Sequence, residues 1–227
     1  MSATVTTGFS LRAHAATADD PGPQAAIRHG ALPARQLYAL SAGWPELEAD
    51  GEDVGLYQAV GAEKLGRFTE LFGKLDAEGG YDAQKPAAIL LQYLAYGPFC
   101  HLAIARGLRG PFQPLEATQG AGIAALLAAI DDLAAGRCRH ALVGGLEQDP
   151  PWARLIWLSD APGLRLIRAR DKVAVEREAG GLVRWLAPSP DPHGLVAVCE
   201  LLDLAAAGQH VGLVTPGGVA FAIEQGV

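Results

Sequence analysis

Residues 107 to 147 read GLRGPFQPLEATQGAGIAALLAAIDDLAAGRCRHALVGGLE, and this stretch decides the fold. It opens on a turn, Gly107-Leu108-Arg109-Gly110-Pro111. Phe112 to Leu115 then form a short strand candidate, although Pro111 and Pro114 weaken its signal. Gly120-Ala121-Gly122 is a tight turn, and Ile123 to Ala135 is an Ala-rich run at helical spacing. Gly136 is a natural C-terminal stop. His140 to Val143 is a buried-strand candidate closed by Gly144-Gly145. Strand, tight turn and helix in that order make an elbow. An elbow places one residue beside the unpaired N–H groups and positive dipole end of a helix. That geometry suits an activated nucleophile or an oxyanion.

The flanking sequence repeats the alternation of short apolar strands and apolar helices. Strands are expected at Thr4–Leu11 and Val54–Val60, with a loop from Ala15 to Gln24. Pro33 opens a helix through Leu37, Tyr38 and Leu40, which Gly43, Trp44 and Pro45 break. Helical spacing recurs over Leu65–Leu75 and from Pro86 to Tyr96, and Gly97-Pro98 interrupts it before a segment toward Arg106. Further on, strands are expected at Leu164–Ile167 and Gly181–Leu186. A helix is expected at Leu195–Ala207 with Gly208 as its stop. Val211–Val214 and Val219–Ile223 form a strand pair across Pro216-Gly217-Gly218. The pattern is α/β with a buried sheet. Gln148 to Pro151 is a candidate boundary, but both sides read as one layered core, so residues 1–227 are taken as a single domain.

The chain has 227 residues, of which 50% are hydrophobic and 19% charged, enough apolar surface to exclude global disorder. Its net charge of −7 disfavours a generic phosphate-backbone binder, so no nucleic acid is expected. Arg165, Arg168, Arg170 and Lys172 form the main basic cluster and read as a solvated face. Cys100, Cys138 and Cys199 make neither a metal spacing nor a disulfide framework. Each reads as a small buried hydrophobe. Met1–Gly8 lacks the character of a secretion signal, and the apolar runs are too short for a membrane span, so a cytoplasmic protein is expected. Gly120-Ala121-Gly122 lacks the rest of a dinucleotide or P-loop fingerprint. No cofactor or metal motif is found.

The decisive stretch resembles the β-ketoacyl synthases of the thiolase superfamily. Gly107 to Pro111 looks like the family's G-x-R-G-P approach to the active-site strand. Ala141 to Glu147 looks like its ALAGGVE strand and turn. Asp53–Val60 is similar to the preceding strand, and Glu178–Val183 to the EGAAALVL strand near the end of the N-terminal half. The resemblance covers Leu37 to Leu186 in patches and implies a thiolase-like N-terminal half, a layered α/β/α fold with a mixed, mostly buried sheet.

The family nucleophile is a cysteine in an A-C-x-x-G elbow. Counting back from Gly136 and from Gly144-Gly145 places it at Gln119; matching Ala117-Thr118 to the A-C pair places it at Thr118. Neither is cysteine, so the elbow Thr118-Gln119-Gly120 carries no thiolate and no catalytic residue is expected there. Gln at this position resembles the chain length factors, the inactive partners of ketosynthases in type II polyketide systems, and the short forms accompanying aryl polyene synthesis. The resemblance implies a heterodimer with a ketosynthase acting on phosphopantetheine-tethered acyl chains, with acyl carrier protein as an indirect partner. It makes His140 and Leu142 interface candidates. Tyr93, Tyr96, Pro98 and Phe99 are tunnel candidates, and core packing explains all four equally well. A decarboxylating or acyl-transferring relative is a second reading; so is a purely structural pseudo-ketosynthase. A nucleophilic Thr118 requires a histidine that the sequence does not place.

Overall fold

The computed structural model describes residues 5–22, 32–44, 46–49, 51–61, 97–117, 119–148, 151–187 and 194–226. The strands are β1 (Val5–Thr17), β2 (Val54–Gly61), β3 (Phe112–Ala117), β4 (His140–Gln148), β5 (Pro151–Ala169), β6 (Arg184–Trp185), β7 (Val211–Val214) and β8 (Ala220–Gln225). The helices are α1 (Leu32–Ser41), α2 (Glu46–Ala49), α3 (Gly97–Arg106), α4 (Ala121–Ala134), α5 (Lys172–Ala179) and α6 (Leu195–Ala206). The helices expected over Leu65–Leu75 and from Pro86 to Tyr96 lie outside the described residues.

One mixed sheet runs β3-β2-β4-β5-β8-β7-β6, and β1 pairs with β5. The parallel part is β3, β2 and β4. β5 is antiparallel to three neighbours: β4 along its first half, β8 along its second, and β1 along nearly all of it. Side chains alternate between two covers, as strand geometry requires. Tyr57, Ala141, Val143, Ile156 and Leu158 face α4 and α6. Leu56, Leu142, Leu155 and Trp157 face α1, α2 and α3. Farther along β5, Ile167 and Ala169 face α5. The result is a layered α/β/α fold around a largely buried sheet.

Several elements differ from the sequence expectation. β1 runs on to Thr17, into the expected loop. β5 is 19 residues long, where only Leu164–Ile167 was legible as a strand. Both of its faces are buried, so it lacks polar alternation, and Asp160, Pro162 and Gly163 look like breakers. The sheet absorbs them as an irregularity: Phe9 pairs with Leu164, but the next residue, Ser10, pairs with Ser159. Gln148 pairs with Pro151, so the candidate boundary lies between two strands of one ladder. Glu178–Val183 is not a strand. Asp171 caps α5 by accepting from the Ala174 N–H at 2.9 Å, and Gly180 at φ 68° ends it. The strand expected over Gly181–Leu186 shrinks to Arg184–Trp185. In the basic cluster Arg170 and Lys172 are exposed, as a solvated face requires, while Arg165 and Arg168 are half-buried in ion pairs. Arg168 forks onto Asp131 at 2.7 and 3.1 Å, Arg165 Nε donates to Glu224 at 2.7 Å, and Lys172 lies over the Trp185 ring. Among the described residues no helix is long and apolar enough to cross a membrane.

Gly144 and Gly145 let both helical layers reach β4 at one level. A Cβ on Gly144 would lie 2.5 Å from the Arg154 carbonyl oxygen and 3.0 Å from Phe99 Cζ; one on Gly145 would lie 2.6 Å from Leu195 Cδ1. Gly144→Ala is expected to cost about 3 kcal/mol in a urea unfolding titration, the upper part of the range for overpacking a core. Gly8→Ala, whose added carbon meets nothing nearer than 4.0 Å, is expected to stay within about 0.5 kcal/mol.

Candidate functional site

The elbow is built as the sequence order requires. β3 ends at Ala117, and α4 begins at Ala121 after an N-cap at Gly120. Gly120 sits at φ 75°, a left-handed conformation that a side chain would strain. Among the described residues no side chain caps the helix, whose first N–H groups lie at the positive end of the dipole. Gln119 immediately precedes this N-cap and is exposed. Thr118 lies outside the described residues, as do Tyr93 and Tyr96.

The C-terminal segment completes the surroundings of the elbow. α6 starts at the same place, behind Gly194 at φ 71° and again without a side-chain cap. A Cβ on Gly194 would lie 3.5 Å from Gly120 Cα, so the two helix N-termini stand side by side. The β7–β8 turn closes on them. A Cβ on Gly120 would meet the Pro216 ring at 3.1 Å. That turn is fixed by the Val219 N–H donating to Thr215 Oγ1 at 3.0 Å and by the Gly218 N–H donating to the Thr215 carbonyl at 2.8 Å. Beside the first turn of α6, an open cleft of ≈ 380 Å³ is lined by Ala16, Thr17, Trp152, Arg154 and Val196, among others. The strand registers bring Ala16, Arg154, Gly145, Ala59 and Leu115 to one level, so the cleft shares the elbow's end of the sheet.

The other end of α4 is held by a buried polar cluster. Asp132 is 2% exposed. Tyr57 Oη donates to its Oδ2 at 2.6 Å, Gln113 Nε2 to the same oxygen at 2.9 Å, and Arg137 Nε to Oδ1 at 2.8 Å. These bonds join α4 to β2, β3 and the turn before β4. Burial alone would raise the Asp132 pKa, but the Arg137, Tyr57 and Gln113 bonds outweigh it and hold the carboxyl below its usual range. Burial, then the bond to Asp132, pushes the Tyr57 phenol up, so it remains a donor. Sequence reading missed this cluster. Its one signal was an acid at Asp132, on the buried stripe with Ala125, Ala129 and Leu133.

The remaining candidates lie apart from the elbow. Cys138 is buried beside Tyr57 Oη at 3.6 Å, and Cys199 is buried in α6. Cys100 is half-buried on α3, in the opposite layer. Burial raises the thiol pKa of both Cys100 and Cys138, opposite to what an activated nucleophile needs. Pro98 and Phe99 are buried, and the Phe99 ring packs over Gly144. His140 and Leu142 are buried on β4, whose two backbone edges are occupied by β2 and β5, leaving no edge there for another chain. His140 stacks 5.9 Å from Trp157. His14 and His210 contact Asp203 and Glu224. No cluster of three or more metal-ligating side chains occurs among the described residues.

Residues 34–172 match the family Beta-ketoacyl synthase, N-terminal domain, over more than half of the chain. The chain belongs to this family. Among solved structures, it is similar to a chain of the ketosynthase ApeO in complex with its chain length factor ApeC from Xenorhabdus doucetiae. That match has a TM-score of 0.62 at 12% identity and covers 96% of this chain and 99% of the other. A beta-ketoacyl synthase from Burkholderia phymatum STM815 also has a TM-score of 0.62, at 10% identity, over 93% of this chain and 86% of its own. The ishigamide ketosynthase/chain length factor has a TM-score of 0.51 at 15% identity, over 78% of this chain and 73% of its own. At such identities the likeness is one of fold. No curated protein matches the chain. The family match ends at residue 172, so α6 and Pro216, which border the elbow, come from beyond it.

The Asp132 cluster has a pH signature. Its carboxyl is depressed below the unfolded value of about 3.9, so its contribution is complete above about pH 4 and is lost as pH falls through the folded value. Asp132→Asn is expected to lose about 2–3 kcal/mol at neutral pH. Its stability should also fall less than the wild type's between pH 5 and pH 2, as read by urea unfolding across that range.

Proposed function

We propose that this protein is a non-catalytic chain length factor. It pairs with an active ketosynthase and shapes the channel that sets product length in type II polyketide or aryl polyene synthesis. One observation supports the reading: Gln119 stands exposed directly before the Gly120 N-cap of the elbow helix, the position to which the count from Gly136 assigns the family's nucleophile. An amide can donate and accept hydrogen bonds at a helix N-terminus, but it cannot form an acyl thioester. The raised thiol pKa of Cys100 and Cys138, and their distance from the elbow in the fold, support the same reading.

Pairing is supported by the sheet's own edge. β3 is the terminal strand and pairs only with β2 among the described residues. An open strand edge is a template for a strand of another chain. The similar fold found in the ketosynthase–chain length factor complex supports a ketosynthase as that partner. The cleft beside α6 lies at the elbow's end of the sheet and has partly apolar walls, including Trp152 and Val196, suited to the flank of an acyl chain.

Co-expression with a candidate partner ketosynthase is the test. The expected outcome is a co-purifying heterodimer, with intact-mass analysis after substrate loading placing the acyl adduct on the ketosynthase alone. Gln119→Ala is expected to shift the product-length distribution or weaken assembly, again without an adduct on this chain. A stable monomer that never co-purifies, or an acyl thioester on this chain, would refute the reading.

A further inference from the structure

The β3 edge carries a selectivity device at Pro114. The Leu56 N–H donates to the Pro111 carbonyl at 2.7 Å, and Leu56 is in register with Phe112. In a parallel ladder the backbone groups of alternate residues then point to alternate sides. Gln113, Leu115 and Ala117 therefore turn their backbone groups toward β2, while Phe112, Pro114 and Glu116 turn theirs away from it. Pro114 removes no bond from the sheet, which explains how a proline sits inside this strand. It removes the middle donor of the outward row.

That missing donor counts differently for different partners. Two identical chains meeting edge to edge do so about a two-fold axis, with the same strand used twice. Any such antiparallel pairing of the β3 centres contains two copies of Pro114 and lacks two donors. A partner strand without proline lacks only one. We propose that Pro114 makes the β3 edge selective for a non-identical chain, disfavouring a second copy of this protein and favouring a different subunit that presents its own strand edge. The inference rests on the pairing reading above and adds the residue that decides between self and partner. It is a case of specificity obtained by penalising the wrong complex.

The measurement is a pair of association constants for the wild type, Pro114→Val and Pro114→Ala. Sedimentation equilibrium gives self-association, and titration into the ketosynthase gives the mixed complex. Each restored donor is expected to strengthen association roughly five-fold. Both variants should then tighten the mixed complex roughly five-fold and self-association roughly 25-fold, the square of the first factor. Valine and alanine both restore the donor but differ in strand propensity, so agreement between them isolates the hydrogen bond from side-chain packing. Equal shifts in the two constants, or variants that self-associate no better than the wild type, overturn the proposal. If no form binds the ketosynthase, the pairing reading fails, while self-association of the two variants still decides the role of Pro114.

Discussion

Two adjacent glycines, Gly144 and Gly145, hold the layers of this fold in contact. The Phe99 ring of α3 sits on one side of β4, and Leu195, the first residue of α6, sits on the other. Each occupies the space where a β-carbon would project. The sheet is thin at this point, so helices from both layers approach its backbone at one level. Leu195 then places the N-terminus of α6 against that of α4, because Gly194 leaves room for Gly120. The elbow's position thus follows from a packing constraint on β4, 24 residues downstream of Gly120.

The elbow is a close-packed joint. A left-handed glycine and two neighbouring helix N-termini concentrate positive potential there. Gln119, exposed directly before the N-cap, can donate and accept hydrogen bonds at that point. The opposite end of α4 is fixed by Asp132, whose carboxylate collects donors from Tyr57, Gln113 and Arg137. Charge-assisted bonds of this kind make a buried carboxylate a rigid joint. Helix α4 is therefore anchored at both ends, by close packing at one and by charge at the other. A rigid elbow of this kind serves a binding or shaping role as well as it serves catalysis.

The segment after residue 172 lies beyond the family match. Taken from sequence, the chain resembles only the first half of a synthase. In the fold, α6, β7 and β8 return to the elbow, and the Pro216 ring packs against Gly120. This segment supplies one side of the elbow. The long strand β5 makes this possible by pairing with β4 in its first half and β8 in its second.

Much of the local structure was legible in the sequence. Helical spacing with glycine stops marked α4 and α6, alternation and glycine punctuation marked β2, β7 and β8, and the Gly120-Ala121-Gly122 turn marked the elbow. These features depend on neighbours within a few turns, and short-range sterics and hydrogen bonding determine them. Tertiary structure alone decided the rest. β5 was hidden because burial on both faces removes the polar alternation that marks a strand. Asp132 did not stand out because its donors come from residues 75 and 19 positions away, as well as from nearby Arg137. Pro114 weakened the strand signal of Phe112–Leu115, and the position of β3 at the end of the sheet, which lets the missing N–H face away from β2, is a tertiary property. Gly194 and Pro216 could not be assigned to the elbow from sequence, because their contact with Gly120 exists only when the sheet has brought both segments together.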